Sequence, residues 1–168
     1  MTNVVELIPE VNLIKDEKIR ENLISAVNAI EKESGVDLAQ FPLGHGITEP
    51  GSLMSHSRAL VKMALAVADV IEEINNIKVN RDYLIAGCIL HDIAIVYGRE
   101  NEIKHSFTGA FLARDHNLPE EIVKIVATHA KEGELVKRSL EATIVYHVDF
   151  MHLEILTGEH YTQVIVRP

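Results

Sequence analysis

His91 and Asp92 stand side by side in LIAGCILHDIAIV, the most hydrophobic stretch of the chain, with no Lys or Arg within six residues on either side. A carboxylate buried there without a partner would cost several kcal/mol, so the pair needs a cation, and a metal ion is the economical one. Further candidate ligands fall one to a helix along the chain: His56, His105, His129 and Asp149. Imidazole nitrogen and carboxylate oxygen suit divalent Fe, Mn, Zn, Ni or Mg, and mixed sites of this kind keep positions open for water and substrate. Six ligands are too many for one catalytic ion. They suit two ions per chain with Asp92 bridging, and a hydroxide held between two cations is a strong nucleophile toward phosphorus.

The elements that must position these residues read as helices. Asp16 to Glu33 repeats Ile19, Leu23, Val27 and Ile30 at helical spacing, with Gly35 as its C-cap. Residues 36–51 are rich in Gly and Pro and form a loop of unusual length, in which His45 or Thr48 could touch substrate if the loop covers the site. Ser52 is expected to cap a long helix to about Asn76, and Asn80 or Asp82 to open a third one, Tyr83 to about Val96, apolar nearly all round and therefore central. Tyr97 to Glu102 is a polar connection. His105 to His116 forms a short helix with Phe107, Phe111 and Leu112 on one side. Pro119, Glu120 and Glu121 start the next, which runs to His129, and Gly133 breaks it. Glu134 to Leu156 is expected to be a last long helix closed by Gly158, followed by a tail, YTQVIV, that is either a short strand or an unstructured end. Six or seven helices around one core make an all-α, compact multi-helix bundle, a single domain over residues 1–168.

Composition narrows the function classes. With 25 acidic against 16 basic residues the net charge is −9, and no Lys/Arg cluster stands out, which argues against a duplex nucleic acid partner. No window approaches a transmembrane span and no leader-like segment opens the chain, so a cytoplasmic protein without a membrane partner is expected. The single cysteine, Cys88, cannot form an internal disulfide and sits in an apolar setting, consistent with a reducing compartment. Nine histidines are about twice ordinary usage for this length.

The series His56, His91-Asp92, Asp149 resembles the metal signature of the HD-domain superfamily of metal-dependent phosphohydrolases. LIAGCILHDIA is similar to that family's hydrophobic helix with its HDIG-type ending, HSFTGA to its downstream H-x-x-x-G-A segment, and IVYHVDF to its closing helix. His105 and His129 resemble the branch with binuclear sites, which includes small bacterial enzymes that split diadenosine tetraphosphate symmetrically. The resemblance covers roughly residues 52–156. It implies the HD-type helical fold, with His91 and Asp92 at the catalytic centre. It also implies hydrolysis of a nucleotide or related small phosphate ester by attack of a metal-bound hydroxide, as a phosphomonoesterase, phosphodiesterase or dinucleoside polyphosphate hydrolase. Two other readings use the same ligands: an HD-type di-iron oxygenase, and a non-catalytic metal- and nucleotide-binding module. Ala94 and Ile95 depart from the family pattern, in which a glycine and a phosphate-binding lysine follow. Arg58, Lys131 and Lys104, each within two residues of a ligand, are the cations nearest for substrate phosphate. His152, three residues after Asp149, could orient that ligand. His116, His147 and His160 are expected at the surface or in support, and the helix surfaces could carry a homodimer.

Overall fold

Helix α4 (Arg81–Leu90) is buried from Leu84 through Leu90 and forms the axis of the molecule. The structure is a computed structural model and describes residues 3–98 and 103–158. Among these residues the architecture is all-α: α1 (Val4–Leu7), α2 (Glu17–Ser34), α3 (Ser52–Asn75), α4, α5 (His105–Asp115), α6 (Glu120–Thr128) and α7 (Leu140–Thr157), with 3-10 turns at Pro9–Leu13, Ile93–Tyr97 and Lys131–Gly133. Helix α4 packs against α2, α3, α6 and α7. The α4–α6 contact is close because Gly87 lacks a side chain: a Cβ there would lie 2.5 Å from Ile125 Cγ2. Leu23, Leu60, Ile89, Ile125 and Val145 are fully buried around this axis. Cys88 is buried too, and burial pushes its thiol pKa up. No helix among the described residues is long and apolar enough to cross a membrane.

Local chemistry sets most boundaries. The Asp16 carboxylate accepts the Ile19 N–H at 3.1 Å to start α2, and Gly35 closes it at φ +69°. The expected helix from Tyr83 to Val96 is instead broken at His91. The Cys88 carbonyl, which a continuing helix would pair with the Asp92 N–H, accepts His91 Nδ1 at 2.8 Å, and the chain passes into a 3-10 turn. Of the two candidate caps for this helix Asn80 is the one used, accepting the Tyr83 N–H at 3.1 Å. Asp82 accepts the Lys15 and Asp16 N–H groups instead.

Three other expectations are corrected. Ser52 does not cap α3; Gly51 holds that position at φ +72°, and the Ser52 hydroxyl accepts the Leu43 N–H at 2.8 Å, tying down the 36–51 loop. In α5 the buried side is Ser106, Gly109, Ala110 and Ala113, while Phe107 and Phe111 are 37% and 51% exposed. Small residues are required there because even a Cβ at Gly109 would lie 3.0 Å from Val126 Cγ1 on α6. The last helix begins only at Leu140, where the Ser139 hydroxyl accepts the Ala142 N–H, and Leu135 is 100% exposed rather than on an apolar face. Helix α1, capped by Asn3, was not legible in the irregular opening segment. The tail at 161–166, His160 and most of the 97–102 connection lie outside the described residues.

Candidate metal centre

The break after α4 leaves His91 and Asp92 at the end of the central helix, where four other elements converge on them. His56 comes from the first turns of α3, Asp149 from the middle of α7, His105 from the first residue of α5, and His129 from the residue that ends α6. All but His105, which is 19% exposed, are buried. Ligand atoms of His56, His91, Asp92 and Asp149 lie within 4.8 Å of one another, as do those of Asp92, His105 and His129. The structure thus brings all six residues singled out in the sequence into two groups that share Asp92.

The two oxygens of Asp92 divide between the groups. Oδ1 is 3.1 Å from His105 Nε2 and 3.3 Å from His129 Nε2, while Oδ2 is 3.5 Å from His91 Nε2. On the other side His56 Nε2 lies 3.0 Å from Asp149 Oδ1 and 3.1 Å from His91 Nε2.

Backbone carbonyls decide which ring nitrogens face inward with a lone pair. His91 Nδ1 donates to Cys88 O at 2.8 Å and His129 Nδ1 to Val126 O at 2.6 Å. A carbonyl only accepts, so each Nδ1 carries the proton, and the Nε2 of the neutral ring carries a lone pair aimed into the cluster. His129 Nε2 therefore meets His105 Nε2 at 3.1 Å in front of a carboxylate oxygen. The His129 Nε2 lone pair and Asp92 Oδ1, 3.3 Å apart, are both acceptors and repel unless a proton or a cation stands between them. Protons serve in part: burial opposes charge on His91, but the Asp92 and Asp149 carboxylates outweigh it and raise its pKa to about 9. Burial likewise opposes ionisation of Asp149 and Asp92, yet His56 and His91 hold Asp149 down to about 2, and His91, His105 and His129 hold Asp92 well below the usual carboxylate range. Histidines pair with both carboxylates: His91, His105 and His129 with Asp92, and His56 and His91 with Asp149. The donor set fits divalent ions with nitrogen and oxygen ligands.

A cavity of about 230 Å³ opens onto the shared carboxylate. Asp92, His105, His129 and Asp149 line one part of it, Ile95, Phe150 and Leu153 an apolar part, and His45, Lys131 and Glu132 the remainder with Ala130. Of the three cations considered for phosphate, only Lys131 lines this cavity. Arg58, about 200° around α3 from His56, donates from Nε to both oxygens of the buried Glu10 at 2.9 and 3.2 Å. Lys104 is exposed at the N-cap of α5. Ile95, at the position of the family lysine, presents an apolar wall.

His45 is carried by a tight turn: Gly44 and Ile47 exchange backbone hydrogen bonds at 3.1 and 2.9 Å, and His45 and Gly46 between them have φ of +53° and +82°. Positive φ at both central residues is the type I′ hairpin geometry, signalled in the sequence by the Gly at its second central position. One supporting residue acts on a ligand other than the one expected, and one escaped sequence reading. His152 supports His56 rather than Asp149, with Nδ1 2.8 Å from His56 Nδ1. Arg138 binds the backbone on either side of His129.

The HD domain family's sequence profile matches residues 53–153. The chain is 32% identical over 158 residues to the dihydroneopterin 2',3'-cyclic phosphate phosphodiesterase of Methanocaldococcus jannaschii, a match covering 81% of this chain and 63% of that protein. It is also 28% identical over 111 residues to the tRNA (cytidine(56)-2'-O)-methyltransferase of Picrophilus torridus, covering 58% of this chain and 30% of that protein. The chain thus spans less than two thirds of either relative. No solved structure gives a significant match.

Proposed function

We propose that this chain, which belongs to the HD domain family, hydrolyses a small phosphodiester at two divalent metal ions. The observation that carries the reading is the division of Asp92, one oxygen toward His105 and His129 and the other toward His91. His56, His91, Asp92 and Asp149 would hold one ion, and Asp92, His105 and His129 the other. Bound there, such ions polarise a phosphoryl oxygen and supply hydroxide near neutral pH.

The chain's own residues orient the ester and exclude water from it. Lys131 neutralises a phosphate oxygen at the cavity rim, and His45 contacts the ester from the loop side. Ile95, Phe150 and Leu153 cover the apolar part of the substrate. A cavity of about 230 Å³ suits one phosphate ester with a single ring system better than a dinucleoside polyphosphate. The relative named for a cyclic phosphate phosphodiesterase supports a cyclic diester as the class to try first.

The test is hydrolysis of 2',3'-cyclic nucleoside and pterin phosphates by the purified chain with manganese(II) or iron(II), set beside Asp92→Asn. Turnover in the wild type that falls by more than about 100-fold in the variant is expected. Equal turnover by both proteins would overturn the reading.

A further inference from the structure

Arg138 makes no hydrogen bond or ion pair to the six ligands, yet it binds the carbonyls of the residues immediately before and after His129. Its Nε donates to the Thr128 carbonyl at 2.7 Å and its Nη2 to the Ala130 carbonyl at 3.3 Å. Helix α6 ends at Thr128, so its last carbonyl lacks a helical partner, and the planar guanidinium presents N–H groups in a fixed fork that reaches this carbonyl and that of Ala130 together. The guanidinium is itself held flat, its carbon 3.8 Å from the centroid of the Tyr146 ring on α7. Tyr146 lies one turn before Asp149 and packs on Phe150, a wall of the cavity.

The segment is fixed from its other side as well. Gly133 packs so tightly against it that a Cβ would lie 2.5 Å from Thr128 Cα and 2.8 Å from Ala127 O. His129 Nδ1 is tied to Val126 O at 2.6 Å. The position of His129 Nε2 therefore follows from the backbone between residues 126 and 133, and Arg138 is the side chain that spans it. None of His56, His91 and Asp149 belongs to this segment.

We propose that Arg138 is a positioning residue for the metal site formed by Asp92, His105 and His129, setting the affinity of that site while leaving the His56, His91, Asp92 and Asp149 site unchanged. The proposal rests on the two-ion reading given above. Wild type, Arg138→Met, Arg138→Lys and His129→Ala are titrated with manganese(II) by calorimetry, with bound metal counted by elemental analysis and folding followed by circular dichroism. Two ions are expected in the wild type. In Arg138→Met one site keeps its affinity and the other weakens by about 10- to 100-fold, as expected when support behind a ligand is removed. Arg138→Lys falls between, and His129→Ala loses that site. Tyr146→Leu, which removes only the ring beneath the guanidinium, weakens the same site by a smaller factor and serves if Arg138→Met does not fold. Two ions bound equally well by wild type and both Arg138 variants would overturn the positioning role alone, as would weakening of both sites together. A single ion in the wild type, unchanged in His129→Ala, would overturn the two-ion reading and the role with it.

Discussion

His152 Nδ1 lies 2.8 Å from His56 Nδ1, so the ring that turns its Nε2 toward Asp149 is held from behind by a second histidine. With Nε2 free to ligate, neutral His56 carries its proton on Nδ1 and donates it to His152. His152 stays available as the acceptor because burial, above all, holds its pKa below the ordinary value. His152→Ala is expected to weaken metal binding at the His56 site by about 10- to 100-fold, with His152→Gln recovering part of the loss through its amide oxygen. Metal titration of the three proteins checks this. Equal affinities would show the contact to be incidental.

The metal-free protein should show opposing acid and alkaline limbs of stability. His91 has a folded pKa of about 9 against an ordinary 6.5, so its contribution is complete below 6.5 and is lost as pH rises through about 9. Asp149, held down to about 2 against an ordinary 3.8, contributes above 3.8 and loses that contribution as pH falls toward 2. Thermal melts of metal-free protein should therefore peak between about pH 4 and 6.5. Metal requires His91 neutral, so the stabilisation it adds should grow as pH rises over the range where the metal-free protein weakens. Parallel melts with and without manganese(II) check the sign. Two curves of the same slope above pH 6.5 would contradict it.

His91, Asp92 and Asp149 are legible in the sequence because each is polar inside an apolar run, while His56, His105 and His129 stand near helix ends, one to a helix, and are joined to them by the family resemblance. The supporting residues are less legible. Arg138 acts through backbone carbonyls, which leave no trace in residue type, and the three-residue spacing of His152 from Asp149 points along its own helix, whereas its partner, His56, stands on another. Among the helices, α2 and α3 are readable to within a residue or so from their repeats. The end of α4 is not, since the apolar run continues through Ile93–Val96 while the backbone changes form at His91. In α5 the aromatic residues point to the wrong face, because close approach to α6 selects small residues over hydrophobic ones.

That preference for small residues gives a stability prediction at Gly87. A methyl group there would lie 2.5 Å from Ile125 Cγ2 and 3.3 Å from Ile125 Cβ, both parts of a fully buried, β-branched side chain with little freedom to move. Gly87 is also one turn before His91, so strain at α4–α6 is transmitted to the ligand pair. Gly87→Ala should destabilise the fold by about 1–3 kcal/mol despite its better helix propensity. Chemical denaturation of metal-free wild type and variant measures it. A variant as stable as the wild type would mean that the two helices separate without cost.

The turn at His45 separates a role in binding substrate from a role in folding. At φ +53° asparagine is tolerated and a β-branched residue is not, so His45→Asn keeps the hairpin between Gly44 and Ile47 while His45→Val strains it. His45→Asn should retain the wild-type metal content and melting temperature and lose activity toward the diester by about 10-fold or more, a modest share of what a positioned substrate contact supplies. Lys131→Met, on the other side of the same cavity, should act chiefly on KM, because a rim cation neutralises the phosphate in substrate and transition state alike. Steady-state kinetics of the two variants with one cyclic phosphodiester decides between contact and bystander. A His45→Asn protein with unchanged kcat/KM would remove the loop from the substrate site and leave Lys131 to carry the phosphate with the metal ions.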